Sequence, residues 1–211
     1  MDKTIKIISL LRKEYPKSKT SLSIRSPLQC LIATILSAQC TDKRVNFVTK
    51  DLFKKYKKAK DYANVDLKKL EKDLSSINFY KNKAKSIKKT CKILVEEHGG
   101  KVPNKLNELI KLQGVGRKTA NVVLGNAFQI HEGYVVDTHN LRLSYRLKLT
   151  NNKNSIKVEK DLVKIIPKKD WLDLSHMFID HGRAICKAPI PICSKCLLTK
   201  ICPKIEVKKR K

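Results

Sequence analysis

Between Leu112 and Gly116 the chain must reverse direction within five residues. Leu-Gln-Gly-Val-Gly separates an apolar-periodic segment at 105–111 from a longer one running from Arg117 to about Phe128. An αα-hairpin with a very tight turn satisfies that spacing, and glycine there permits φ > 0 and lets a ligand approach the backbone. Leu112, Val115, Ala120 and Val123 are the residues expected to hold the two helices together. The N–H groups opening the second helix then point outward, with the positive end of the helix dipole behind them. Gly114, Val115, Gly116, Arg117 and Thr119 therefore form a candidate phosphate site. The same turn also serves plain helix connections.

Charge fits such a site. Lys and Arg number 47 against 19 Asp and Glu, a formal +28. That excess exceeds what solubility requires and favours a polyanion, nucleic acid first, because phosphate contacts release counterions. Lysines outnumber arginines 39 to eight, a bias that drift in coding composition also produces. No apolar run approaches about 18 residues, which excludes a helical membrane span and membrane partners. Met1 to Leu11 is amphipathic, with no apolar signal core and no cleavage site. An intracellular protein of the cytoplasm or nucleoid is expected, where cysteines stay reduced and clusters of them read as metal ligands.

Helical periodicity fills most of the 211 residues, enough for one domain or two small ones, and no alternating run reads as a strand. Helices are expected over 4–15, after Pro27 through Ser37, and over 43–57, 66–75, 82–97 and 105–111. Others are expected from Arg117 to Phe128, from Asp137 to about Leu147, and from Trp171 through Phe178 into the cysteines. Breaks fall at Asn78, Gly99-Gly100, Pro103 and Gly114, and 129–134 reads as a loop. The fifteen lysines against five acids in 50–92 read as a solvated face or a track along a DNA backbone. Only the tail from Lys204 to Lys211 reads as unstructured.

Cys186, Cys193, Cys196 and Cys202 follow one another at spacings of six, two and five, with Pro203 directly behind. Four thiolates suit zinc or an iron–sulfur cluster. Zinc ribbons pair two C-x2-C knuckles, whereas one asymmetric loop wraps better around a compact cube. Cys30, Cys40 and Cys91 lie in apolar stretches and read as buried thiols.

Leu-Gln-Gly-Val-Gly-Arg-Lys-Thr-Ala-Asn-Val-Val-Leu at 112–124, Val-Val-Asp-Thr-His at 135–139 and the cysteine array together resemble the endonuclease III family of helix-hairpin-helix DNA glycosylases. Leu-Ser-Ala-Gln-Cys-Thr-Asp at 36–42 and Lys-Ala-Lys-Ser-Ile at 83–87 extend the likeness over nearly the whole chain. The resemblance implies an all-α fold. A six-helix barrel domain at 22–130 would carry the hairpin at about 105–128. An iron–sulfur domain would combine 1–21 with 131–211, and DNA would bind in the cleft. It also implies one [4Fe–4S] cluster per chain on the loop 186–202, held by the four cysteines and structural in role. The partner implied is double-stranded DNA containing damaged bases or abasic sites, bound by a monomer.

Residue roles follow from the same resemblance. Taken alone, Lys118 is a phosphate contact or a solvated lysine, and a free amine of pKa about 10.4 is only about 0.04% neutral at pH 7. The helix dipole, desolvation and Arg117 would all favour its neutral form. The resemblance makes Lys118 the nucleophile that attacks C1′, displaces the base, forms a Schiff base and cuts the strand by β-elimination. Asp137 alone reads as a helix N-cap, and the resemblance adds an active-site role in stabilising positive charge and moving protons. Gln39 resembles the residue that fills the hole left by a flipped base, and Phe79 stands where an apolar wedge enters the opposite strand. Lys187, with Lys195 and Lys200, is placed to reach phosphates. Gln113 departs from the proline common in the family, and the 129–134 loop carries one extra residue. His139 and His176 are expected to be structural. The activity implied is a bifunctional DNA glycosylase and AP lyase for oxidised pyrimidines. The alternatives are a mismatch-specific thymine or uracil glycosylase of the same fold and a non-catalytic DNA-binding module.

Overall fold

The computed structural model describes residues 2–211 and is helical throughout, with no strand among the described residues. In chain order the helices are α1 (Lys3–Glu14), α2 (Pro27–Ser37), α3 (Asp42–Lys55), α4 (Ala59–Asn64), α5 (Leu67–Asp73) and α6 (Tyr80–Glu97). They continue as α7 (Leu106–Leu109), α8 (Arg117–Phe128), α9 (Thr138–Arg146), α10 (Ser155–Ile165) and α11 (Trp171–Ala184). The chain divides into two compact units, Thr20–Glu132 and Met1–Lys19 with Gly133–Lys211.

In the Thr20–Glu132 unit, α2 sits at the centre because it is apolar on every side, and Cys30 through Leu36 are all buried. Ser26 caps it and Pro27 occupies its first turn, where the missing N–H costs nothing. α2 packs against α3, α6 and α8, and α4 and α5 close against α6. Leu31, Leu36, Leu70, Ile87 and Leu124 make up part of the dry interior. In the other unit, α11 packs against α1 and α9, and α10 covers α9. Ile7, Leu11, Leu143, Leu162, Leu174 and Phe178 interlock there.

Three expectations change. α4 and α10 were not foreseen: each buries only two residues, Ala59 with Tyr62 and Val158 with Leu162, too thin a stripe to stand out among lysines and asparagines. The 105–111 segment forms only the single turn α7 before the hairpin. The tail is ordered, because Lys211 exchanges backbone bonds with Pro191 and Ser194 while Lys153 pairs with Glu206 at 2.7 Å. The lysine-rich stretch is mostly solvated, yet Lys83 is buried and Lys88 donates to the carbonyls of Ala63 and Val65.

Candidate active site

The hairpin is built by backbone conformation. Gly114 adopts φ +78, and a Cβ there would press on Ser86 Cβ at 3.1 Å, so both conformation and space disfavour a side chain. Buried Leu112 and Val115 anchor the turn, and Thr90 Oγ1 donates to the Gln113 carbonyl at 2.8 Å. Gly116 differs. Its φ of −85 suits any residue, but a Cβ would meet nothing within 4 Å and would project into open space. It caps α8 with no side-chain bond, so the N-cap puts no side chain between the helix start and solvent. Arg117 and Lys118 are exposed on that turn and Thr119 is half-buried. The expected desolvation of Lys118 is therefore not supplied by burial within the protein.

Gln39 follows α2 and Phe79 caps α6, and both adopt left-handed backbone, φ 52 and φ 57. For bulky residues that conformation costs roughly 1 kcal/mol or more and is kept where structure over-determines it. Phe79 is 61% exposed and so is not part of the core.

Asp137 belongs to the Gly133–Lys211 segment and does cap α9: its Oδ1 accepts from Asn140 N at 2.7 Å and from Asn140 Nδ2 at 2.9 Å. Asn140 is fully buried. It also accepts from the Tyr134 hydroxyl at 2.7 Å and donates to the Ser175 carbonyl at 3.1 Å. Burial first, and the Asp137 carboxylate second, push the Tyr134 phenol well above its ordinary pKa, so it donates as a neutral hydroxyl. Burial lowers the pKa of both His139 and His176, in keeping with structural roles.

The four cysteines line one pocket together with Arg146, Thr199 and Val207. Arg146, only 9% exposed, donates to the Lys187 carbonyl at 2.8 Å and lies 3.4 Å from Cys186 Sγ. Arg142 adds a bond to the Cys186 carbonyl at 3.0 Å. Buried His181 bridges Tyr15 Oη at 3.0 Å and Cys196 Sγ at 3.4 Å, and burial pushes its pKa down to about 4, so the ring is neutral. Among the described residues no three His, Cys, Asp or Glu side chains close on a single metal ion. Four thiols lining one pocket form a donor set that fits a thiolate-ligated metal group. Lys187, Lys195 and Lys200 are exposed around it. Of the other thiols, Cys30 and Cys91 are buried and pushed up to about 11 and about 12, while Cys40, beside Gln39, is only half-buried.

Known proteins resemble this arrangement closely. Residues 32–168 match the model of the HhH-GPD superfamily of base excision DNA repair proteins. Endonuclease III of Synechocystis is 48% identical over 95% of this chain and 91% of its own length. The chain belongs to the endonuclease III family. Two solved family structures, a non-covalent endonuclease III–DNA complex and a trapped endonuclease III–DNA covalent intermediate, each superpose with a TM-score of 0.90 at 44% identity. Each covers 97% of this chain, and the chain covers 96% and 97% of theirs. The all-α helix-hairpin-helix glycosylase fold is thus established. Among the described residues no helix is long and apolar enough to cross a membrane.

Within this family frame, sequence reasoning missed the residues that act through others. Asn140, Tyr134 and Ser175 fix the Asp137 carboxylate, and Arg142, Arg146 and His181 brace the cysteine loop. One signal was available: Arg142 and Arg146 are four apart, as basic residues on one face of α9 must be.

Proposed function

We propose that this protein is a bifunctional DNA glycosylase and AP lyase of base excision repair, acting on oxidised pyrimidines in duplex DNA and on abasic sites. The observation that carries it is Lys118, an exposed amine on the first turn of the helix that the hairpin opens. It stands in a family with a member captured as a covalent intermediate with DNA. Gly114, Val115, Gly116, Arg117 and Thr119 hold a backbone phosphate by N–H groups and helix dipole. The neutral Lys118 amine bonds to C1′ as the glycosidic bond breaks, and the departing base takes up a proton. The sugar opens to an imine on Lys118. Loss of a C2′ proton then expels the 3′ phosphate, and water releases the lysine. Asp137 stabilises positive charge on the sugar and carries protons, its carboxylate held in place by Asn140. Gln39 fills the vacated stack and Phe79 enters the opposite strand.

Cys186, Cys193, Cys196 and Cys202 would hold one [4Fe–4S] cluster, which would supply metal–thiolate binding energy to folding of the loop 186–202. Lys187, exposed next to Cys186, contacts phosphate. Residues 22–130 act as the six-helix barrel domain, and 1–21 with 131–211 act as the iron–sulfur domain of an intracellular monomer. The test is strand nicking of duplexes carrying thymine glycol, an abasic site, uracil or a G·T mismatch. Cleavage at the first two is expected. Base release confined to uracil or G·T would mark a mismatch glycosylase, and binding without any cleavage a non-catalytic module.

A further inference from the structure

Gln39 and Phe79 lie on separate loops, 40 residues apart in sequence, yet three hydrogen bonds join the segments that carry them. Asn78 Nδ2 donates to the Gln39 carbonyl at 2.7 Å. Lys83 Nζ donates to the carbonyls of Leu36 at 2.8 Å and Ala38 at 2.6 Å. Asn78 precedes Phe79, and the Lys83 backbone N–H bonds to the Phe79 carbonyl at 3.1 Å. Asn78 and the first turn of α6 therefore grip the end of α2 at residues 36, 38 and 39, on the chain leading into and including Gln39. Both tips are left-handed and both side chains are exposed.

We propose that Asn78 and Lys83 are positioning residues that lock the Gln39 and Phe79 loops into one rigid two-pronged wedge, so that a damaged base is extruded and its place filled in one concerted insertion. The proposal rests on Gln39 and Phe79 entering DNA as set out above. Its physical basis is pre-organisation. Two prongs on independent loops must each be ordered as the duplex opens, and that ordering entropy opposes extrusion. Prongs joined through three backbone carbonyls are ordered before DNA arrives. The two residues divide the task by environment. Lys83 is 7% exposed, and its Nζ is committed to the carbonyls of Leu36 and Ala38 that end α2. Asn78 is exposed, and its single tether can be removed without opening the core.

The experiment is Asn78→Ala, with Asn78→Asp as the isosteric variant that has no N–H to donate. Three rates are compared: thymine glycol excision from duplex DNA, excision from single-stranded DNA, and cleavage at a preformed abasic site. A fluorescent base analogue opposite the lesion reports extrusion directly. Loss of one hydrogen bond corresponds to about a fivefold slowing of extrusion and duplex excision. The other two rates should change less than about twofold, with both variants alike and melting temperature unmoved. Equal slowing on all three substrates, or no slowing on the duplex, overturns the tether. Gln39→Ala and Phe79→Ala separate the two levels of inference. If they slow duplex excision and Asn78→Ala does not, the wedge stands and the tether falls. If they leave duplex excision unchanged, both fall.

Discussion

The hairpin at Leu112–Gly116 and the cysteine loop at Cys186–Cys202 are both short connections that carry function, and opposite means hold them. The hairpin is a backbone object. One positive-φ glycine, two buried apolar side chains and one threonine hydroxyl suffice, and the N-cap Gly116 adds no side-chain bond at the helix start. The cysteine loop is a side-chain object. Two arginines from α9 and a buried histidine from α11 reach it, and the chain end folds back across it. On the proposed function the contrast has a reason: a binding site for a transient polyanion must stay open, whereas a seat for a permanent group must be closed and braced.

The largest expected effect tests the closed site. Cys186→Ala should yield colourless, largely insoluble protein in place of yellow-brown protein with about four irons per chain, because ligand bonds contribute directly to folding. Iron analysis and circular dichroism decide it, and one zinc per chain in the native protein would sink the cluster. Next, Arg146→Met keeps the stem but strands the Lys187 carbonyl and leaves the Cys186 carbonyl to Arg142 alone. A loss of about 2–4 kcal/mol in denaturant unfolding, with iron lost on mild chelation, is expected. If Arg146→Met is as stable as the parent, the side-chain account of the loop fails.

The hairpin should respond to backbone changes instead. Gly114→Ala forces a Cβ onto φ +78 and against Ser86, for about 1–2 kcal/mol of destabilisation. The smallest effect is the sharpest contrast. Gly116→Ser gains a capping hydroxyl, so stability should rise by about 0.3 kcal/mol while DNA affinity falls, since the new side chain projects into the space left for phosphate. Affinity that holds or improves would place the phosphate elsewhere.

How much of this was legible in the sequence follows the same division. The hairpin could be read from Gly114, Val115 and Gly116 alone, because tight turns impose local backbone rules. α8 was legible at both ends because it starts at a glycine turn and its apolar stripe runs to Phe128. The cysteine spacing was legible as a loop whose four thiols gather at one pocket. Its bracing was not, because Arg146 and His181 act through tertiary contacts that no spacing encodes. The same holds for Asn140, a polar residue whose complete burial depends on Tyr134 and Ser175 meeting it from other segments. The tail was misread because composition registers its lysines and misses its backbone bonds to Pro191 and Ser194. α10 was missed because two buried side chains leave a faint period.

The central claim is that the Lys118 amine becomes covalently joined to the sugar, and borohydride trapping tests it most directly. Borohydride added while the protein acts on thymine glycol or abasic DNA should reduce the imine and leave protein and strand joined on a denaturing gel. Lys118→Gln keeps similar length and hydrogen-bonding capacity but cannot form an imine. It should lose trapping and strand cleavage entirely while still binding the lesion. Asp137→Asn should slow base release by about 100-fold yet still trap on preformed abasic DNA, since the amine is intact. A Lys118→Gln protein that still becomes joined to abasic DNA would show that another amine is the nucleophile and contradict the account.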